Sequence, residues 1–296
     1  MTDEPRVAVD VRNELGEGII WHEGRQQLIW FDIFRKCAFL ANADGSGITA
    51  YGFGDPVSAA FIVDNDTLLI ASSAGLLSLD LATGETAIVH EIEADQAETR
   101  PNDCRAAPGS SIWFGTMNDN SSQHVASIYH YRNGELTPLF TDLSCPNAIC
   151  FSPAGDRAYF SDTFDHKIMT CFVDPESGLP ASDIEVFVDL TAEGANPDGA
   201  VVDSEGCLWN AHWGAGRVAR YRPDGSLDRS IDLPAPQTTC PCLGGPDLRT
   251  LFVTTAFGWL PPDEAAAYPL SGAVFAVEVD VPGLPERTIT FDPSSS

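Results

Sequence analysis

The sequence contains strand-like segments that recur every 40 to 50 residues. Six runs rich in the branched and aromatic residues that strands favour begin at Leu28, Leu68, Ile112, Ala158, Leu208 and Leu251. Each unit holds three or four such short segments, which are separated by turn pairs such as Asp44-Gly45 and Asn133-Gly134. A period in this range indicates a solenoid, a propeller or an array, and the short strands exclude helical repeats. We therefore predict an all-β fold, a six-bladed β-propeller of four-stranded antiparallel blades.

The two ends of the chain should meet in this fold, because a propeller must hide the edges of its sheets. Residues 6–12 alternate apolar and charged side chains, so we expect this N-terminal strand to close the ring as the outer strand of the last blade, beside residues 273–279. Residues 292–296 should form a loose tail. A chain of 296 residues can bury one large core, and we predict a single propeller domain over residues 1–296.

The composition limits the partners of the protein. With 16 basic and 43 acidic residues the net charge is −27, and such a surface repels phosphate backbones and anionic membranes. We expect no nucleic-acid and no membrane partner. No apolar run approaches the ~18 residues of a membrane span and the first residues lack a secretory signal, which predicts a cytoplasmic location. The eight cysteines have irregular spacings and are interpreted as buried thiols. Nothing in the sequence predicts the oligomeric state.

An oxygen-bearing side chain recurs ten or eleven residues before four of the strand-like runs. These side chains are Glu17, Asn102, Asn147 and Asp198. Because equivalent positions of different blades face the axis of a propeller, we expect them to converge on one site at one face of the ring. The ends of the second strands reach the same face, and they would bring further side chains to the mouth of the pocket, namely Asn118, Asp119 and His212.

Three of these residues have the chemistry of a metal site. Glu17, Asn147 and Asp198 offer two carboxylates and one amide oxygen, without sulfur or imidazole. Such a set favours the hard cations Ca²⁺, Mg²⁺ and Mn²⁺ and tolerates Fe²⁺ or Zn²⁺. Each residue alone could be an ordinary turn residue. Their equivalent positions in the repeat nevertheless predict one divalent metal ion.

Several motifs then carry a resemblance to a known family. In chain order they are Leu15-Gly-Glu-Gly-Ile-Ile-Trp21, Arg100-Pro-Asn-Asp103, Phe114-Gly-Thr-Met117, Pro146-Asn-Ala-Ile-Cys-Phe-Ser-Pro153, Pro197-Asp-Gly-Ala-Val-Val-Asp203 and Leu243-Gly-Gly245. The chain resembles the regucalcin and gluconolactonase family, and among its members it is most similar to bacterial sugar-acid lactonases. This resemblance implies a six-bladed propeller, one divalent metal ion and the hydrolysis of aldonolactones in oxidative sugar catabolism.

The resemblance also implies roles for individual residues. It places metal ligands at Glu17, Asn147 and Asp198, and substrate contacts at Arg100 and Asn102. The chain departs from the family after the Gly-Thr-Met motif, where some members carry a glutamate that contacts substrate and this chain has Asn118-Asp119. This departure leaves open whether the sugar acid has five or six carbons, and the late part of the chain favours a pentono-1,4-lactone over a gluconolactone.

A lactone is a cyclic ester, and water attacks its carbonyl group to give an oxyanion that a metal ion stabilises. Asp198 is the predicted general base and Asp103 is the alternative. Arg100 and Asn102 supply directed hydrogen bonds to the sugar hydroxyls. We expect a polar pocket without an apolar wall, which would prefer a small hydroxylated lactone over a long acyl lactone.

Other functions remain open. A metal-dependent esterase or phosphotriesterase would use the same polarised site, and a calcium-binding propeller without turnover would need only the ligands. A protein-binding propeller is disfavoured because the convergent polar residues lie on the axis and the Trp-Asp repeat signature is missing.

Overall fold

A computed structural model describes residues 4–96, 98–119 and 124–291. Within these ranges the chain forms six four-stranded sheets, and neighbouring strands pair antiparallel in each sheet. The predicted six-bladed β-propeller is confirmed. The tail predicted at residues 292–296 lies outside the described residues.

The first strand along the chain is β1 (Arg6–Val9). Blade 1 contains β2 (Gly16–His22), β3 (Gln27–Asp32), β4 (Cys37–Asn42) and β5 (Thr49–Gly52). Blade 2 contains β6 (Val57–Ile62), β7 (Thr67–Ser72), β8 (Gly75–Asp80) and β9 (Thr86–His90). Blade 3 contains β10 (Thr99–Ala107), β11 (Ser111–Asn118), β12 (Ala126–Arg132) and β13 (Glu135–Leu143).

The second half of the chain repeats this plan. Blade 4 contains β14 (Pro146–Phe151), β15 (Arg157–Asp162), β16 (Lys167–Phe172) and β17 (Glu185–Asp189). Blade 5 contains β18 (Asn196–Val202), β19 (Leu208–Trp213), β20 (Arg217–Tyr221) and β21 (Leu227–Asp232). Blade 6 contains β22 (Thr238–Gly244), β23 (Thr250–Thr255) and β24 (Val274–Glu278), together with β1. Two short helices interrupt the strands, a 3₁₀ turn at Thr163–Asp165 and α1 at Pro262–Ala267.

The six innermost strands form a closed ring. Each of β2, β6, β10, β14, β18 and β22 contacts the next, and β22 contacts β2. β1 pairs with β24 at the outer edge of blade 6, where Val7 lies opposite Phe275. The prediction that the N-terminal strand closes the last blade is therefore confirmed. This pairing covers an edge that would otherwise present unpaired backbone groups.

The core lies between neighbouring blades. Apolar clusters join blades 1 and 2, 2 and 3, 3 and 4, 4 and 5, 5 and 6, and 6 and 1. The second strands are buried on both faces, which is why β3 and β11 contain continuous apolar runs in place of an alternating pattern. Buried tryptophans belong to these clusters between blades. The indole nitrogen of Trp113 donates to the backbone oxygen of Gly178 at 2.9 Å.

Each innermost strand begins with a bulge. Its register with the second strand shifts near the residue that the repeat predicts for the site, for example between Glu17 and Ile20 in blade 1 and between Asn147 and Cys150 in blade 4. Gly18 has a φ of 57°, and a Cβ there would lie 1.9 Å from the backbone oxygen of Ser58. A bulge turns side chains away from the ordinary alternation, and here it directs them towards the axis.

The chain after β24 crosses the far end of the ring, away from these bulges. The backbone oxygen of Pro282 accepts from Ser204, Gly283 donates to Leu248, and Ile289 donates to Ile62. These partners belong to blades 5, 6 and 2, so the segment spans the opening of the ring. In the ranges that the structure describes, no helix has the length and apolar character needed to cross a membrane.

Candidate active site

One cavity of about 470 Å³ opens where the innermost strands begin. Its lining includes the three predicted metal ligands Glu17, Asn147 and Asp198 and the predicted substrate contacts Arg100, Asn102 and Asp119. These residues come from blades 1, 3, 4 and 5, so the ring brings distant parts of the chain to one place. The structure therefore brings together six of the residues singled out in the sequence.

Side-chain hydrogen bonds fix the amide of Asn147. Its Oδ1 accepts from Nδ2 of Asn102 at 3.0 Å, and its Nδ2 donates to Oγ1 of Thr163 at 2.8 Å. Thr163 in turn donates to the backbone oxygen of Pro197 at 2.8 Å, next to Asp198. With its nitrogen held by Thr163, Asn147 keeps a second lone pair on Oδ1, which a cation can use.

Two further carboxylates hold the strands that carry the ligands, a role that the sequence analysis did not predict. Asp32 accepts hydrogen bonds from the backbone nitrogens of Glu14 and Leu15, just before β2. Asp162 accepts equivalent bonds from Ser144 and Cys145, just before β14. Both aspartates are the last residues of the second strand of their blade. That shared position in the repeat is the signal that could have identified them.

Glu17 and Asp198, whose carboxylates lie at the floor of the cavity, repel one another. Burial, followed by the nearby Asp103, raises the pKa of Glu17 to about 8, while the Gly18 amide and Arg100 oppose the shift. Burial, followed by the charges of Glu17 and Asp103, raises the pKa of Asp198 well above its usual range. Two buried carboxylates raise the free energy of the folded state unless a group of opposite charge accompanies them.

The donor set fits a hard divalent cation. Two buried carboxylates and an amide oxygen meet at the floor, and their mutual repulsion is the kind that a cation removes. In residues 4–96, 98–119 and 124–291 no group of three or more His, Cys, Asp or Glu side chains could hold a metal ion. Any ion at this floor would therefore rely on the amide oxygen of Asn147 as a ligand.

Arg100 stands beside this floor and is held from two sides. Its Nε donates to Oδ1 of Asp119 at 2.7 Å, and one terminal nitrogen donates to Oδ1 of Asn102 at 3.0 Å. The guanidinium is buried, whereas Asp119 is 60% exposed at the mouth. The arrangement presents a fixed cation and a fixed amide to a ligand in the cavity.

The placement of His212 at the mouth of the pocket was wrong. The ring is fully buried, its Nδ1 accepts from Arg217 at 3.0 Å, and its Nε2 lies 3.2 Å from the hydroxyl of Tyr221. Burial, together with the charge of Arg217, lowers its pKa to about 4. Side chains alternate along a strand, so the next residue, Trp213, lines the cavity instead.

Asn118 and Asp103 also lie outside the cavity lining. Asn118 is buried at the end of β11, opposite Thr99 of β10. Asp103 accepts a hydrogen bond from the backbone nitrogen of Ile149 at 2.7 Å, and burial raises its pKa to about 6. The structure thus places Asp103 near the floor, as its influence on the pKa of Glu17 indicates, without bringing it to the wall of the pocket.

The wall of the cavity corrects the expectation of a wholly polar pocket. Its apolar lining residues are Leu15, Met117, Phe164, Trp213 and Trp259. The wall is largely apolar because Trp213, at the end of β19, and Phe164 and Trp259, which follow second strands, contribute rings that the repeat of polar residues did not predict. The argument that a long acyl chain finds no apolar wall therefore fails.

Comparisons with known proteins agree with this architecture. Residues 15–257 match the family described as SMP-30/Gluconolactonase/LRE-like region. The chain is 33% identical to an L-arabinolactonase of Azospirillum brasilense, over 93% of this chain and 92% of that protein. It is 30% identical to a 6-deoxy-6-sulfogluconolactonase of Pseudomonas putida, over 97% and 98% of the two chains.

A solved structure extends the likeness to three dimensions. A calcium-binding protein, regucalcin, from Agrobacterium tumefaciens superposes with a TM-score of 0.95 at 36% identity, covering 98% of each chain. The family match spans most of the sequence, includes all three residues of the cavity floor, and agrees with the fold. The chain belongs to the SMP-30/gluconolactonase/LRE-like family.

Proposed function

We propose that this chain is a lactonase that opens aldonolactones to sugar acids, with one divalent cation held by Glu17, Asn147 and Asp198. The observation that carries the proposal is the meeting of these three oxygen donors at the floor of one cavity, directly below Arg100 and Asn102. Relatives named as lactonases, similar over nearly the whole chain, support the same reaction class. The substrate is a small-molecule sugar lactone.

A bound divalent cation supplies a Lewis acid that polarises the lactone carbonyl and stabilises the oxyanion. The residues of the chain supply the remaining chemistry. Asp198 lines the cavity with Glu17 and Asn147, and its carboxylate accepts the proton of the attacking water. The water oxygen bonds to the carbonyl carbon, the ring C–O bond breaks, and the proton passes to the ring oxygen, which becomes the hydroxyl of the open acid.

Binding of the sugar falls to the residues above the floor. Arg100 and Asn102 are already oriented by their mutual hydrogen bond and by Asp119, so they lose little freedom when they bind hydroxyl groups. Asp103 is held by Ile149 outside the lining, and in this proposal it does not take the proton. The net charge of −27 favours release of an anionic product.

The choice between five- and six-carbon lactones belongs to the same proposal. We favour pentono-1,4-lactones, because the late part of the chain resembles bacterial sugar-acid lactonases and because the L-arabinolactonase of Azospirillum brasilense is a similar protein. The apolar part of the wall means that rejection of acyl lactones must come from the polar floor alone. The cytoplasmic location expected from the sequence stays a prediction.

The test is acid release from a lactone panel, followed with a pH indicator and corrected for spontaneous ring opening. Chelator-treated protein, protein with each divalent cation restored, and Asp198→Asn would be compared with wild type. Asp183→Asn is a matched control, because Asp183 is exposed and lies outside the cavity lining. Metal-dependent turnover that Asp198→Asn abolishes and Asp183→Asn keeps would support the proposal, and full activity in metal-free Asp198→Asn would refute it.

A calcium-binding role without turnover is the second candidate, and the likeness to the calcium-binding regucalcin of Agrobacterium tumefaciens favours it. The same experiment separates the two. Calorimetric binding of Ca²⁺ that depends on Glu17, without acid release from any lactone under any cation, would favour the binding protein. Faster release from phosphotriesters or simple esters than from lactones would favour the general esterase.

A further inference from the structure

Four aromatic side chains form an arc around the mouth of the cavity, which we call the aromatic arc: Phe34, Phe164, Trp213 and Trp259. Each comes at or just after the end of the second strand of its blade, in blades 1, 4, 5 and 6. Phe164, Trp213 and Trp259 line the cavity. The ring of Trp259 packs edge-on against Phe34 at 4.8 Å and against Trp213 at 5.7 Å, so these three rings form one continuous cluster.

The side chains of the aromatic arc are not packed in the core of the fold. Trp259 is 60% exposed and Phe164 is 52% exposed, although burying such rings is worth more than burying most side chains. Trp259 also has a φ of 62°, a left-handed conformation that is strained for a bulky residue. Exposed aromatic rings and a strained backbone at the mouth of a pocket are typical of ligand contacts.

The charged residues of the mouth belong to blade 3. Arg100 pairs with Asp119, its guanidinium lies 5.8 Å from the centre of the Phe34 ring at one end of the arc, and the floor carries the carboxylates. A lactone ring over the floor uses the polar residues, which leaves the arc without a contact unless the substrate extends towards the mouth. The cavity of about 470 Å³ falls within the size range of pockets that enclose drug-sized ligands, and a lactone of one sugar is smaller than such ligands.

A polar acceptor lies within the arc. Gln237 lines the cavity and is 7% exposed, and its backbone bridges to Trp213. Its Oε1 has no hydrogen-bond partner in the part of the chain that the structure describes. A buried amide acceptor beside aromatic rings suits a ligand with hydroxyl donors and an apolar C–H face, which is the chemistry of a sugar ring. A purely aromatic ligand would leave that acceptor unsatisfied.

We propose that the aromatic arc and Gln237 form a second subsite that binds a further sugar ring attached to the lactone. Trp213 and Trp259 stack against its C–H face, and the side-chain amide of Gln237, which lines the cavity, forms a hydrogen bond with one of its hydroxyls. The preferred substrate is then the lactone of a disaccharide acid. This inference rests on the proposed lactonase function, and it assigns the part of the pocket that the lactone ring does not use.

The experiment compares kcat/KM for cellobionolactone, gluconolactone and dihydrocoumarin in wild type, Trp259→Ala and Phe172→Ala. Phe172 is the matched control, because it is also 60% exposed but lies on the third strand of blade 4, outside the cavity lining. We expect Trp259→Ala to lower the ratio of cellobionolactone to gluconolactone by about tenfold, the loss of one stacking contact, while Phe172→Ala leaves it unchanged.

A binding measurement separates this inference from the proposed reaction. Quenching of tryptophan fluorescence by the open acids cellobionate and gluconate needs no turnover. Tighter binding of cellobionate that Trp259→Ala removes supports the subsite even if no lactone is hydrolysed. The subsite is overturned if hydrolysis occurs but Trp259→Ala changes neither the ratio nor the binding, if it lowers both sugar lactones equally, or if only dihydrocoumarin responds.

Discussion

Replacing Asp198 by asparagine should stabilise the metal-free protein at alkaline pH while it removes the response to metal. The side chain keeps its size but loses the negative charge that Glu17 and Asp103 repel. In the metal-free wild type the carboxyl groups of Glu17 and Asp198 both have raised pKa values, so the folded state holds protons that the unfolded chain releases. Stability must then fall as the pH rises from about 4 towards 8.

The size of the effect follows from the charge that asparagine removes. Burial is the largest cause that raises the pKa of Asp198, and the charges of Glu17 and Asp103 come next. The amide of asparagine carries no charge that burial or these neighbours oppose, so we expect Asp198→Asn to recover about 2 kcal/mol at pH 8. For a chain of this length that is a rise in Tm of about 4 °C.

The assay is thermal unfolding in chelator at pH 5 and pH 8, with and without added Ca²⁺ or Mn²⁺. Wild type should gain about 3 kcal/mol from a cation at a hundredfold excess over its Kd, whereas Asp198→Asn should gain almost nothing. Asp183→Asn removes an exposed charge and should behave as wild type. A metal-free Asp198→Asn protein that is less stable than wild type at pH 8 would refute the repulsion at the floor, and an undiminished metal response would refute the ligand assignment.

Four further predictions have simple readouts. Asn102→Ala should lower kcat/KM by about tenfold or more while metal analysis still finds the ion, and loss of the ion would make Asn102 a ligand. His212→Gln should reduce the loss in the free energy of unfolding that urea titrations show between pH 6.5 and pH 4. The pKa of His212 is lowered to about 4, so only the unfolded chain binds its proton in this range, which lowers the stability of wild type by up to about 3 kcal/mol. An unchanged pH dependence in the variant would contradict this. Gly18→Ala should cost more than about 2 kcal/mol and reduce turnover, since the new methyl group meets Ser58 in a left-handed conformation, and wild-type stability would show that the bulge is not rigid. Calorimetry should give one cooperative unfolding transition for the predicted single domain, and two separate transitions would indicate two domains.

The repeat predicted the fold because five of the six blades are each built from one continuous stretch of the chain. Its strands are joined in sequence by short turns, and the same pattern of apolar runs recurs in each unit. The ligands were predictable for the same reason, since Glu17, Asn147 and Asp198 occupy one position of the repeat. Both the fold and the ligands could be predicted from the spacing of residues along the chain alone.

Features that break the repeat escaped prediction. Whether His212 or Trp213 faces the cavity depends on the register of one strand, and a shift by one residue exchanges the two. The bulges also decide that Asn102 reaches the pocket while its neighbour Asp103 is held by Ile149. Trp259 lies on a loop of blade 6 that has no counterpart of equal length in the repeat, so its contacts depend on the folded ring.

The pairing of β1 with β24 has a consequence for synthesis of the protein. β1 is made before the other strands of the ring and its partner β24 after all of them, since Val7 lies opposite Phe275. At about 5 to 20 residues per second the nascent β1 waits roughly tens of seconds without its partner. Ring closure therefore waits until β24 has been made, and a nascent chain stalled before blade 6 exposes both a free strand and an open sheet edge to chaperones and proteases.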